Sequence, residues 1–264
     1  MGIRKEKRMP FFDTHVHLSD TAFSTDLEQI VLQADAFLEC VTSYRDAAQV
    51  LALAARYPHI YAAVGIHPFF SNLSVPELNS VSHWIYQLQQ QSTKIKAIGE
   101  IGLDYRDDQP DRKIQYACFL EQLETASMLK LPVSIHCVRA IQDIQKAICN
   151  SKIQSGILHG ASLSKESAHF FLERNFCLGV GSIVTYHNAR RLIEMIKYTP
   201  LDYLVLETDS PFMPPEKMRG QRNIPRNAHF AAQAIADIKQ LPVETVYYVT
   251  YQNACKVLQI EEER

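Results

Sequence analysis

The chain has 264 residues, 47% of them hydrophobic, with 27 Lys and Arg against 29 Asp and Glu for a formal net charge of −2. That length can bury a sizeable core and falls in the usual range of one barrel domain, so residues 1–264 are expected to fold as a single domain. The near-neutral balance excludes a global basic footprint for duplex DNA. No run approaches the roughly 18 uncharged apolar residues of a membrane-spanning helix.

Met1 to Arg8 is basic but lacks the apolar centre of a secretory signal, so export is not expected. Cys40, Cys118, Cys137, Cys149, Cys177 and Cys255 form no CxxC pair and read as reduced thiols of a cytoplasmic protein.

In chain order, β-branched apolar stretches alternate with stretches of helical periodicity, and no self-similar repeat is present. The predicted elements run strand Phe11–His17, helix Asp26–Ala36, strand Phe37–Thr42, helix Asp46–Tyr57, strand Ile60–His67 and helix Val75–Gln91. Strand Lys96–Asp104 and helix Asp111–Lys130 follow, and Pro132 stops that helix before strand Pro132–Cys137. Helix Arg139–Asn150, strand Gly156–Gly160, helix Ser164–Asn175, strand Phe176–Gly181, helix Asn188–Tyr198, strand Asp202–Asp209 and helix Ala228–Gln240 complete the alternation. Val243–Ile260 is expected to be an extra C-terminal helix covering one end. Asp46 and Ser164 with Ser167 are candidate N-cap residues.

Eight strand–helix units predict a parallel α/β architecture. A doubly wound open sheet is the alternative, but it usually carries a glycine-rich turn after its first strand. Here that strand ends in Thr14-His15-Val16-His17 without glycine, which favours a closed (β/α)8 barrel.

Residues i and i+2 of a strand share a face, so His15 and His17 can turn inward together as half of a metal site. An isolated HxH pair is equally compatible with a core or pH-sensitive pair. The other candidates lie at the same edge: Glu100 in the fourth strand, His136 ending the fifth, His159 ending the sixth and Asp209 ending the eighth. Active sites of such barrels are built at the C-terminal strand ends, and six imidazole or carboxylate groups there each need a partner.

Asp13-Thr14-His15-Val16-His17, Gly65-Ile66-His67-Pro68, Gly99-Glu100-Ile101-Gly102-Leu103-Asp104-Tyr105, Ile135-His136, His159-Gly160 and Glu207-Thr208-Asp209-Ser210-Pro211 together resemble the TatD-type metal-dependent hydrolases of the amidohydrolase superfamily. The resemblance runs from Phe12 to about Leu258. It implies a TIM barrel, a binuclear pair of divalent metal ions and, as in several members, deoxyribonuclease activity on phosphodiester bonds. It further implies that His15, His17 and Asp209 hold one metal, His136 and His159 the other, and Glu100 bridges both. Such a pair would generate a nucleophile from water near neutral pH and neutralise charge in the transition state. Asp209 and Glu100 are the expected catalytic carboxylates, with Asp209 also a general base. Four histidines suit Zn, Mn, Ni or Fe better than Mg, while two carboxylates admit Mg.

The chain departs from the family in places. The family commonly has arginine two positions after the fifth-strand histidine; here Arg139 stands three on. At a helix start that rotates it by about 100°, so phosphate contact and a helix-surface role are both open. Ala161-Ser162-Leu163 replaces the usual phenylalanine-serine-glycine after the sixth-strand His-Gly pair. His67 is a candidate for binding a substrate oxygen, for orienting a ligand or for a structural His-Pro turn. Asp104 and Glu207 are candidates for orienting metal-bound histidines. The basic run Lys217–Arg226, with Arg222 and Asn223, is a candidate for holding a nucleic-acid backbone or a solvated loop. The aromatics read as core, with no platform for stacking single-stranded bases.

The leading expectation is therefore a metal-dependent phosphodiesterase acting on nucleic acid or a small phosphodiester, without a membrane or obligate protein partner. Hydrolysis of a small ester, lactone or amide is the second, and a non-catalytic metal-binding barrel the third.

Overall fold

A computed structural model describes residues 9–72 and 80–261. The basic segment Met1 to Arg8 and the start of the helix expected from Val75 lie outside the described residues. The elements are β1 (Phe12–Val16), α1 (Leu27–Ile30), β2 (Ala36–Cys40), α2 (Ala47–Arg56), β3 (Ile60–Ala63), α3 (Val81–Gln91), β4 (Ile95–Asp104), α4 (Arg112–Leu129) and β5 (Val133–Val138). They continue with α5 (Ile141–Asn150), β6 (Gly156–Leu158), α6 (Lys165–Leu172), β7 (Phe176–Val180), α7 (Arg190–Tyr198), β8 (Leu204–Leu206), α8 (Ala228–Lys239) and α9 (Val243–Val257).

The eight strands form one sheet in the order β1 to β8, every neighbouring pair parallel. A parallel bridge between Val16 and Ser210 closes it into a barrel. The closed barrel is therefore the architecture, and the open doubly wound sheet is excluded. Period-2 alternation divides each strand between two surroundings. Phe37 of β2 and Val41 just after it pack in the large cluster formed with the helices, whereas Leu38 and Cys40 join a smaller cluster with Phe12, Ala97 and Val205. Ala254, Cys255, Val257 and Leu258 from the end of α9 belong to that second cluster, so α9 seals one end of the barrel as expected. The chemistry-bearing residues collect at the other end.

Local chemistry sets the element boundaries. In α2 the buried positions Ala47, Val50, Leu53 and Ala54 follow helical spacing. Asp111 caps α4 through Lys113 N at 2.9 Å, and Ser164 caps α6 through Ser167 N at 3.2 Å. Asp46 is not such a cap. Its carboxylate turns back to accept from Thr42 N at 3.0 Å and Ser43 N at 2.9 Å, tying down the loop after β2. Helix α1 is a single turn rather than the expected Asp26–Ala36. Asp35 must come round to accept from Phe11 N at 2.9 Å, and Ala36 must pair with Phe12. Helix α5 starts at Ile141, and Arg139 precedes it with a left-handed φ of 54°, so the helical rotation expected for Arg139 does not apply.

Gly102 in β4 has a φ of 142°, and a Cβ there would stand 2.0 Å from the His136 carbonyl oxygen of neighbouring β5. Backbone meets backbone at this point, so no side chain can move aside. Gly102→Ala is expected to destabilise the fold by about 3 kcal/mol or more, the range of strong overpacking and strained φ/ψ. Urea unfolding of the variant beside the wild type measures it; a shift under about 0.5 kcal/mol would show that the strands separate cheaply.

Candidate metal centre

Strand β1 brings in the first pair. A register irregularity lies between Asp13 and Val16, and both histidines point to the same two carboxylates. His15 Nε2 lies 3.3 Å from Glu100 Oε2 and 3.9 Å from Asp209 Oδ1; His17 Nε2 lies 3.9 Å and 3.4 Å from the same atoms. His15 is fully buried and His17 nearly so. Below them, buried Asp13 accepts from Thr208 N at 2.9 Å and Thr208 Oγ1 at 2.6 Å. A backbone bond from Asp209 N to His15 O at 2.9 Å completes this junction between β1 and the segment after β8.

Strand β4 contributes Glu100, whose two oxygens face opposite ways. Oε2 faces His15 and His17, while Oε1 lies 3.0 Å from His136 Nδ1 and 3.7 Å from His67 Nε2. Four residues on, Asp104 Oδ2 lies 3.3 Å from His136 Nε2. Arg106 then grips Asp104, its Nε at 3.0 and 2.9 Å from the two carboxylate oxygens. His136 thus stands between two carboxylates, one inside the site and one at its margin.

On the far side, the rings of His159 and His15 stack with centroids 3.5 Å apart. His159 Nε2 is 4.0 Å from Asp209 Oδ2, and its Nδ1 is 3.2 Å from Glu207 Oε1. Glu207 also accepts from Gly160 N at 2.7 Å and presses on Gly179, where a Cβ would lie 2.0 Å from Oε2. Asp209 itself lies past β8 with a left-handed φ of 57°. The eighth strand ends at Leu206 because the following residues bond across to β1.

Histidine tautomers test whether these groups fit a cation. His17 Nδ1 lies 3.2 Å from the Cys40 carbonyl oxygen, which only accepts, so Nδ1 carries the proton and Nε2 presents a lone pair to the carboxylates. The Cys40 thiol donates to Leu38 O at 3.7 Å, which leaves its sulfur to accept from His15 Nδ1 at 3.5 Å. His15 Nε2 is then a buried lone pair with no hydrogen-bond partner. A neutral imidazole lone pair facing a carboxylate is repulsive unless a cation lies between them, so the donor set fits a divalent metal. His67 differs: its Nδ1 accepts from Phe69 N at 3.1 Å, so the neutral ring carries its proton on Nε2, toward Glu100. Burial holds His67 neutral by lowering its pKa to about 4 despite the pull of Glu100. His67 caps its own turn, and its Nε2 faces Glu100 Oε1 at 3.7 Å.

Without a cation, protons take its place. Burial disfavours charge on His17, but Asp209, Glu100 and Glu39 outweigh it and raise the ring to about 9. Burial likewise opposes charge on His159, and Glu207, Asp209 and Glu100 raise it to about 10. Burial, joined by His159, lowers His15. Burial also works against ionised Glu100, yet His15, His67 and His136 hold its carboxyl well below the usual range. Among the described residues, three groups have ligand atoms within 4.8 Å of one another: His15, His159 and Asp209; His15, His17 and Glu100; and His67, Glu100 and His136.

A cavity of about 510 Å³ opens onto this centre, lined among others by His17, His67, Glu100, His136, His159 and Asp209. The remaining expected contacts lie elsewhere. Arg139 is exposed and not part of the lining. Arg222 is paired with Asp26 through NH1 at 2.8 Å and packs over the Phe23 ring. Buried Asn223 donates to Thr208 O at 2.9 Å and Met213 O at 3.2 Å, holding the loop after Asp209 in shape. The reading of the aromatics as core is corrected at Phe69 and Phe212, which line the cavity while about half exposed, Phe212 edge-on to His17 at 5.8 Å. Sequence reading missed these two because loop aromatics have no periodicity to follow. It also missed Arg106, and Glu39, which accepts from Leu18 N at 2.6 Å and Ser19 N at 2.8 Å beneath His17. For Glu39 a signal existed, an acid inside the apolar strand Ala36–Cys40 that must find partners.

Comparison with known proteins follows the same lines. The sequence profile of the family described as TatD related DNase matches residues 12–259. YabD of Bacillus subtilis, an uncharacterized metal-dependent hydrolase, is 33% identical over 256 residues, which cover 94% of this chain and 99% of YabD. The crystal structure of YJJV, a TatD homologue from Escherichia coli K12, superposes with a TM-score of 0.89 at 29% identity over 95% of this chain and 98% of that one. A TatD family hydrolase of Entamoeba histolytica, 18% identical, shares the fold with a TM-score of 0.84 over 96% of this chain and 99% of its own.

Proposed function

The chain belongs to the TatD-related DNase family and is a metal-dependent hydrolase, and from that premise we propose that it cleaves phosphodiester bonds in DNA at a two-metal centre. In this reading His15, His17 and Asp209 would hold one ion, His136 and His159 the other, and Glu100 would serve both. The observation that carries it is the opposed orientation of the Glu100 oxygens, Oε2 toward the β1 pair and Oε1 toward His136. Asp104 at 3.3 Å from His136 and Glu207 at 3.2 Å from His159 support the ring orientations such ligands need. Cys40 and Cys177 are buried thiols outside any disulfide, which fits a single-domain enzyme working in the cytoplasm.

Divalent ions bound here would act as Lewis acids that make water acidic near neutral pH and neutralise charge growing on phosphate oxygens. The protein's own part is positioning and proton transfer. His67 turns its Nε2 proton toward Glu100 across 3.7 Å, a favourable field for the carboxylate rather than a hydrogen bond. Asp209 keeps one oxygen toward His17 and the other toward His159. Burial opposes its charge, but His17, His159 and His15 hold its pKa below the usual range, so it is ionised at neutral pH and can accept the proton of an attacking water.

Ester, lactone or amide hydrolysis remains the second reading, favoured by the Asp20 and Asp46 carboxylates on the cavity wall. Metal-stripped protein incubated with single-stranded oligonucleotide and with small phosphate diesters, then supplied with Mg²⁺, Mn²⁺, Ni²⁺ or Zn²⁺, separates the two. Restored cleavage of a diester is expected. Failure of every ion, with turnover of an ester or amide instead, would sink the nuclease reading.

A further inference from the structure

Among the described residues lining the cavity, Arg106 is the one Lys or Arg. It follows β4 directly, where Tyr105 N bonds to Val138 O at 3.0 Å, so it stands at the margin between β4 and β5. Its Nε is committed to both oxygens of Asp104, which is fully buried as a side chain, while the Arg106 side chain itself is 51% exposed. Nε and one terminal nitrogen both engage Asp104, which fixes the guanidinium plane, and the side chain lines the cavity. Asp104 in turn touches His136, which touches Glu100. Arg106 thus connects to Glu100 through two side chains in series, Asp104 and His136.

The other charged lining residues oppose an anion. Asp20 and Asp46, on the loops after β1 and β2, line the same cavity. A substrate with a second negative group would be repelled by these carboxylates and drawn to the one rigidly held cation. A guanidinium whose inner edge is bound by a carboxylate is pre-organised to bind phosphate oxygens with its outer edge.

We propose that Arg106 is a substrate-specificity residue that binds a second phosphate, one neighbouring the phosphate held at Glu100, and so selects substrates carrying two adjacent phosphates over isolated phosphate esters. This rests on the phosphodiesterase reading and names the substrate feature it favours. Successive phosphates of a nucleic-acid strand, spaced by one nucleoside, are the pair such a substrate offers.

The test is a binding measurement that needs no turnover. Titration calorimetry on metal-loaded protein compares thymidine 3′,5′-bisphosphate with thymidine 5′-monophosphate and thymidine 3′-monophosphate. The bisphosphate is expected to bind about tenfold or more tighter than either monophosphate, the worth of one charge-assisted contact. Arg106→Met should bring that ratio close to one, and Arg106→Lys should keep part of it. A residue acting only through Asp104 would weaken all three ligands by the same factor and leave the ratio intact; that result overturns the proposal. So does a wild-type ratio near one, which is decisive even if a variant folds poorly. Absence of diester cleavage by the wild type with a preserved ratio would instead count against the nuclease reading alone.

Discussion

Asp209→Asn is expected to lower kcat by about 10³-fold on any diester the enzyme cleaves while both metal ions stay bound, the range for loss of a positioned general base. The argument rests on how Asp209 is held. Its backbone is fixed by bonds to His15 O at 2.9 Å and from Phe212 N at 2.7 Å, so its place does not depend on the carboxylate charge. Asparagine keeps the shape and one ligating oxygen but cannot accept a proton. Steady-state kinetics alongside elemental analysis of the variant reads both quantities. Full turnover with both ions bound would remove the general-base role, whereas loss of an ion would show that the charge is needed for binding first.

The second large effect is an opposite response to pH in metal-free and metal-loaded protein. His17 and His159 are raised in the metal-free fold from 6.5 to about 9 and about 10. A raised pKa contributes stability that is complete below the unfolded value of 6.5 and is lost as pH climbs through the folded value. The metal-free protein should therefore lose thermal stability between pH 6.5 and 10. His15 and His67 are lowered and act in the other direction, costing stability as pH falls below 6.5. Depressed Glu100 and Asp209 withdraw theirs lower still, as pH falls through the carboxylate range. Metal-free stability should peak near pH 6.5. With metal the sign reverses above that point, because ligands must shed protons to bind and affinity rises with pH. Each protonated ring is worth on the order of a few kcal/mol over this window. Melting curves in EDTA and in excess Mn²⁺ at several pH values give the two slopes; parallel slopes would mean the rings do not exchange protons for metal.

Much of this was legible in residues alone. The alternation of eight strands and helices defined the barrel, and the six groups at one edge announced a site before any distance was known. Strand ends were less legible where tertiary bonds overrule local preference. Asp209 looks like the last residue of a strand, yet the chain leaves β8 at Leu206 to bond with β1. Asp46 has the spacing of a helix cap, yet loop amides at Thr42 and Ser43 claim its carboxylate. Arg222 and Asn223 sat in a promising basic loop, but Asp26 and two backbone carbonyls occupy them. Arg106 carried no motif. Its place depends on the register of Asp104 against Val138, which only strand pairing reveals.

The junction of Asp13 with Thr208, and of His17 N with Ser210 O at 2.8 Å, lies where the chain's first strand meets its last. During synthesis His15 and His17 emerge early and remain half a site until almost two hundred further residues have been made and folded around the ring. A ribosome-bound or prematurely ended chain lacking that final stretch has neither the seam nor Asp209. Hydrolysis that depends on Asp209 is thus expected only once the segment after β8 has closed on β1.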